Sequence, residues 1–173
     1  MPALPSLAGT DVPSPILSKL AARAELPSRL AVLAHPLVFT NGVFDVLHRG
    51  HVICLEQARA LGASLVVALN SDASARRLGK GPGRPLNAEI DRGVVIAALQ
   101  SVDLVTWFDE DTPVELLRLV RPDVYCKGGD YDMELLEEAR VVKQWGGRAV
   151  ALDFAEGYST TALVDRVREP QRG

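Results

Sequence analysis

Two hydrophobic rhythms alternate along this 173-residue chain. Short continuous apolar runs occur at Leu37–Phe39, Ser64–Asn70, Leu104–Phe108, Val124–Cys126 and Ala149–Leu152. Each has the length of a strand, and unbroken apolar runs such as SLVVALN fit strands covered on both faces, as in a parallel sheet. The segments between them keep a helical period. Val52, Leu55 and Ala58 recur within Gly50–Leu61, and Gly62 stands where a helix stop belongs. Ser71-Asp72 opens a short helix to about Leu78. Asn87 reads as the N-cap of a helix to about Leu99, with Glu89 and Asp91 in its first turn. Thr112-Pro113-Val114-Glu115 has capping-box spacing and opens a helix to about Val120. Further helices are predicted over about Met133–Trp145 and from the Ser159-Thr160-Thr161 string to about Arg168. Alternating strands and helices predict a doubly wound α/β domain with a five-stranded parallel sheet.

The chain before Leu37 follows another pattern. Pro2, Pro5 and Pro13, with Pro15 flanking, read as a poorly ordered tail. Helical spacing predicts a helix from Pro15 to about Glu25, and a second from Ser28 to about Ala34 after the interruption at Pro27. The expected division is an N-terminal tail and helical extension over 1–36, a domain over 37–168 and a C-terminal tail over 169–173.

Composition narrows the function classes. Hydrophobic content of 47% and charged content of 24% are ordinary for a soluble globular domain. A net charge of −3 lacks the basic footprint of a nucleic-acid partner. No apolar run approaches the roughly 20 residues that span a bilayer, so no membrane partner is expected. No signal peptide is visible. Cys54 and Cys126 have no CxxC or zinc-ligand spacing and read as reduced cysteines of a cytoplasmic protein.

The chemistry concentrates in LVFTNGVFDVLHRGH, Leu37 to His51. A strand ends at Thr40-Asn41-Gly42, and a helix starts at His48-Arg49-Gly50-His51. Unpaired N–H groups and the positive end of the dipole make such a start a phosphate site. Imidazoles at i and i+3 can face the same way there, each able to donate to an anionic oxygen. Other polar strings also follow strands: Asn70-Ser71-Asp72, Lys127-Gly128-Gly129-Asp130 and Ser159-Thr160-Thr161. In doubly wound sheets these carboxyl ends meet at the ligand-binding crevice. Lys80-Gly81-Pro82-Gly83-Arg84-Pro85 reads equally as a mobile basic loop that closes over phosphates or as a solvated linker. Asp45 can bind a ligand or cap its own turn. Arg92 can reach the site or form an ion pair on its helix face. Ser159, Thr160 and Thr161 can hold phosphate or only cap the last helix.

TNGVFDVLHRGH resembles the HxGH signature of the cytidylyltransferase-like nucleotidyltransferases. The strings NSDASARRL, GRPLN, SVD, DEDTP, PDV, KGGDY and STT make the stretch Leu37–Arg168 similar to the adenylyltransferases of bacterial ADP-heptose synthesis. Val43 departs from that pattern, where Cys is usual, and the segment after Tyr131 matches poorly. The resemblance implies a Rossmann-like fold and transfer of AMP from ATP to D-glycero-D-manno-heptose 1-phosphate, with release of pyrophosphate. It implies Mg²⁺ with the ATP, a homo-oligomer and, for the stand-alone form, a separate sugar kinase upstream. It implies His48, His51 and Lys127 as the catalytic set. Nucleotide contacts are expected from Thr40, Asn41, Gly42, Phe44, Asp45, Gly50, Asn70, Asp72, Lys80, Arg84, Arg92, Gly128, Asp130, Ser159, Thr160 and Thr161. Within this class the alternative is a cytidylyltransferase acting on glycerol 3-phosphate or another small phosphate. Outside it, the alternative is a nucleotide-binding module without catalysis.

Overall fold

The computed structural model describes residues 11–79, 81, 83–129, 132–153, 157 and 160–168. Helices α1 (Ser14–Leu17) and α2 (Leu26–Leu30) flank a 3-10 turn at Arg23–Glu25 and precede the domain. Strand β1 (Leu37–Gly42) leads into α3 (Arg49–Arg59), β2 (Ser64–Asn70), α4 (Asp72–Arg77) and α5 (Glu89–Ala97). There follow β3 (Leu104–Phe108), α6 (Val114–Val120), β4 (Val124–Gly128), α7 (Glu137–Lys143), β5 (Arg148–Leu152) and α8 (Thr160–Arg168). The strands form one sheet in the order β3-β2-β1-β4-β5, every neighbouring pair parallel. The expected Rossmann-like doubly wound sheet is what the chain builds.

Side-chain alternation along the strands divides the core in two. On one face Val38, Leu65, Val67, Leu69 and Val105 pack with Leu55 and Ala58 of α3 and Ile96 and Ala97 of α5. On the other, Leu37, Phe39, Val66, Ala68 and Tyr125 pack with Leu26 of α2, Leu116 and Leu117 of α6 and Val142 of α7. All seven residues of β2 are buried, which is why that run carries no polar alternation. The chain builds outward from β1 through β2 to β3, then crosses back to β4 and β5. The order therefore reverses between β1 and β4, and the crevice of such a sheet opens at that point.

The extension departs from expectation. The helix predicted to run to Glu25 stops at Leu17, because Leu20 forms a parallel bridge with Val105 on the outer edge of β3. Val105 N–H donates to Lys19 O at 2.8 Å, and Ala21 N–H donates to Val105 O at 2.9 Å. Leu20, Ala21 and Leu26 are buried. Lys19 Nζ donates to Leu99 O at 3.0 Å, and Arg23 pairs with Glu110. A strap is thus tied along the sheet edge, a long-range pairing that overrides local helical spacing. Ser14 already belongs to α1; residues 1–10 of the expected N-terminal tail and the expected C-terminal tail at 169–173 lie outside the described residues.

Three helix starts also shift. Ala88, not Asn87, is the N-cap of α5, since Asn87 Nδ2 donates to Asp45 O at 2.6 Å instead. Pro113 occupies the N-cap of α6 without a side-chain cap, so the Thr112 box does not form. Helix α7 starts at Glu137, with turns over 133–135 where a helix was expected.

Candidate active site

At the carboxyl ends of β1 and β4 lies a cavity of about 480 Å³. The end of β1 supplies Thr40, Asn41 and Gly42, and the start of α3 supplies His48, Gly50 and His51. Val43, Phe44, Asp45 and Asn70 line it, as do Arg84, Lys127, Gly128 and Thr160. The ends of β1, β2 and β4 thus reach one space because the parallel sheet aligns every carboxyl end on one side.

His48 is the N-cap of α3 in an extended conformation, and His51 is its third residue. Their rings stack with centroids 3.7 Å apart and planes at 17°. His48 N–H donates to His51 Nδ1 at 3.4 Å. An Nδ1 that accepts leaves the proton of the neutral ring on Nε2, which makes Nε2 a donor. Burial lowers the His48 pKa below 6.5, against a smaller opposing effect of its own backbone hydrogen bond. The pair is therefore compact and sits at the first turn of α3, where the positive end of the helix dipole favours an anion.

Phe44 supports this pair. Its ring lies 5.2 Å from that of His51, and its backbone takes the left-handed conformation, φ 49°. A non-glycine residue in that region costs energy and persists only where its surroundings hold it. Gly42 is required beneath it: a Cβ there would come within 2.9 Å of the Phe44 ring. Gly128 has a similar constraint on the β4 side, where a Cβ would lie 2.6 Å from Cys54 Sγ. Tyr125 Oη donates to Asn41 Oδ1 at 3.1 Å, which turns the Asn41 NH₂ into the group that can meet an anionic oxygen.

Asp45 anchors the following loop. Its carboxylate accepts from Leu86 N at 2.7 Å and Asn87 N at 2.9 Å and pairs with Arg84 at 2.7 Å. Burial raises its pKa, and the Asn87 and Leu86 amides and the Arg84 guanidinium outweigh that, leaving it below the ordinary 3.8. Arg84, expected on a mobile basic loop, is held against the cavity wall with its side chain only 14% exposed. The depressed folded pKa means this tether stabilises the fold above pH 3.8 and loses that contribution as pH falls through the folded value. In Asp45→Ala, the Leu86 and Asn87 amides should exchange hydrogen at least about tenfold faster, since hydrogen bonds to a charged acceptor are the strong kind. Unchanged exchange at both amides would show that the loop is held elsewhere.

Arg92 does not line the cavity. It is the largest fully buried side chain, and its guanidinium donates to Val43 O at 2.6 Å, Asn70 O at 2.9 Å and Asn87 O at 3.1 Å. It also pairs with Asp72 Oδ1 at 2.7 Å. It fastens the loops after β1 and β2 to α5. Asp72 likewise stands behind the cavity wall rather than in it. Lys80, Asp130 and Ser159 lie outside the described residues, as does the side chain of Thr161.

Sequence reasoning did not assign Glu138, Cys54, Asp111 or Asp153 to the site, all of which line the cavity. Glu138 comes from α7, across the sheet from α3, and is 6% exposed. Its Oε1 lies 3.9 Å from Lys127 Nζ. An acidic first-turn residue is ordinary in sequence, and its inward direction comes only from the crossing of α7 over β4. Asp111 is engaged by Arg77 at 2.6 Å. Among the described residues no group of three or more His, Cys, Asp or Glu side chains could hold a metal ion, and no helix is long and apolar enough to cross a membrane.

The chain is 59% identical to D-beta-D-heptose 1-phosphate adenylyltransferase of Bordetella bronchiseptica over 154 residues, 88% of this chain and 95% of that protein. It is 52% identical to the bifunctional protein HldE of Hahella chejuensis over 135 residues, 78% of this chain but only 28% of that longer protein. A crystal structure of the lipopolysaccharide core biosynthesis protein from Thermoplasma volcanium superposes with a TM-score of 0.59 at 29% identity, covering 71% of this chain and 98% of that one. Residues 39–166, which hold the histidine pair and every strand end that reaches the cavity, match the cytidylyltransferase-like family model, and the chain belongs to that family.

Proposed function

We propose that the protein is a nucleotidyltransferase that moves AMP from ATP to D-glycero-D-manno-heptose 1-phosphate, giving ADP-heptose and pyrophosphate for lipopolysaccharide core or a related heptose glycan. The observation that carries this reading is the stacked His48–His51 pair on the first turn of α3, opening into one cavity with Lys127 and Arg84. The name of the Bordetella relative supports the choice of nucleotide and acceptor.

The acceptor is a phosphate monoester, largely dianionic at pH 7, and needs no general base. One of its oxygens attacks the α-phosphorus in line. The bond from that phosphorus to the bridging oxygen breaks, and pyrophosphate leaves with the electron pair. What the protein must supply is approach of two anions and stabilisation of the departing charge. His48 and His51 donate to the phosphates, and the Asn41 amide holds an α-phosphoryl oxygen at the positive end of the α3 dipole. Lys127 and Arg84 offset the remaining negative charge. Bound together with the triphosphate, Mg²⁺ would neutralise part of that charge. The same reading puts the protein in the cytoplasm as a homo-oligomer, supplied by a kinase activity that makes the sugar 1-phosphate.

The test is pyrophosphate release from each of the four nucleoside triphosphates with heptose 1-phosphate or glycerol 3-phosphate as acceptor. ATP with heptose 1-phosphate should be at least about tenfold the best, the discrimination one satisfied polar contact provides. Faster release from CTP with glycerol 3-phosphate makes the protein a cytidylyltransferase. Nucleotide binding without release under any pairing makes it a binding module.

A further inference from the structure

Glu138 is an acid in a cavity built for anions. Carboxylates are rarely buried unless something answers their charge. Lys127 Nζ does so at 3.9 Å, close enough for attraction but beyond hydrogen-bond length. An ionised carboxylate accepts hydrogen bonds and donates none, with about four lone-pair sites on its two oxygens. The other cavity acids are differently placed. Asp45 is consumed by Arg84 and two amides, Asp111 is held by Arg77, and Asp153 is exposed. Among the described residues Glu138 is the buried acid that faces the cavity with accepting capacity.

The parts of the cavity differ in what they offer a ligand. The β1–α3 side offers the two histidines and the Asn41 amide, which suit phosphate, and its acid, Asp45, is already paired with Arg84. The wall formed by α7 offers a carboxylate, which repels phosphate and accepts from hydroxyls. Lys127, at the end of β4, stands between them. A substrate that combines phosphate with vicinal hydroxyls matches this division.

We infer that Glu138 is a specificity-determining residue whose carboxylate accepts hydrogen bonds from the hydroxyls of a substrate sugar. This deepens the proposed transferase reading and rests on it for the identity of the ligands. Two substrates carry such hydroxyls, the ribose of the nucleotide and the ring of the acceptor, and the experiment separates them.

Calorimetric dissociation constants are measured for ATP, 2′-deoxy-ATP, 3′-deoxy-ATP, heptose 1-phosphate and its single-deoxy analogues. The parent is compared with Glu138→Ala and Glu138→Gln. In the parent, removing the hydroxyl that meets Glu138 should weaken binding about tenfold, as expected for a hydrogen bond to a charged group. In Glu138→Ala that penalty should vanish for the one substrate concerned and persist for the other. Glu138→Gln keeps an accepting oxygen at the same place and should retain part of the discrimination. If Glu138→Ala does not fold, Glu138→Asp withdraws the carboxylate by one methylene and gives the same readout. Equal deoxy penalties in parent and variants overturn the inference, as does failure of the parent to bind any of these ligands. Because binding is read and not turnover, a parent that binds but releases no pyrophosphate overturns the proposed activity alone.

Discussion

Replacing His48 or His51 by Ala should lower kcat by roughly 10²–10³-fold, the cost of losing one donor aimed at charge that develops during reaction. The KM for ATP should move much less, because on the proposed reading Asn41, Lys127 and Arg84 remain to meet the ground-state phosphates. The rings are stacked 3.7 Å apart, and His51 Nδ1 accepts from the His48 amide. Loss of either ring therefore disturbs the other, and the double variant should lose less than the product of the two single losses. Steady-state kinetics on both single variants and the double, with circular dichroism as a check on folding, decides. A folded variant that keeps near-parental kcat would assign its histidine to the scaffold.

The largest effect on stability should come from Arg92. Arg92→Met leaves the buried Asn70 carbonyl, the partly buried Val43 and Asn87 carbonyls and the partly exposed Asp72 carboxylate without their donor. Removing one partner of a buried pair costs on the order of 3–5 kcal/mol, a large share of the roughly 5–15 kcal/mol that a domain possesses. Arg92→Lys should recover only part, since an ammonium cannot reproduce the guanidinium fork that reaches four acceptors. Urea unfolding of parent and variants reads the difference. A loss below about 1 kcal/mol in Arg92→Met would mean that water or a neighbour satisfies those carbonyls. Because Val43 and Asn70 line the cavity while their carbonyls are held by Arg92, a folded Arg92→Met should also lose activity without having lost any group that touches substrate.

The parts of this fold that were legible in sequence are those in which local pattern and tertiary role agree. SLVVALN reads as a doubly covered strand because it is one, whereas the strand that reads as breaking at Thr40-Asn41-Gly42 continues through Gly42. His48 and His51 could be paired from spacing alone, since three residues at a helix start fix their relation. Arg92 could not be placed in this way. Its acceptors lie between 5 and 49 residues away and are mostly backbone carbonyls, which no side-chain pattern reports. Its two sequence readings, a site contact or a helix-face ion pair, both missed that it is a bolt between loops. Glu138 was hidden for a related reason, because only the packing of α7 turns an ordinary first-turn acid inward. The helix predicted across Leu20 failed because the outer edge of β3 competes for the same backbone groups.

That competition has a consequence for how the protein behaves at high concentration. A parallel sheet of five strands has two borders, and each bare border is a template on which another chain can add a strand. At β3 the groups that would recruit a stranger, the N–H and C=O of Val105, are already occupied by Lys19 and Ala21. At β5 the border begins with the exposed, charged Arg148, a feature that discourages such recruitment. The strap before Leu37 thus acts as a selvedge: it finishes the open side of the weave from within the same thread, and a version of the chain cut back to Leu37 would expose that side to aggregation.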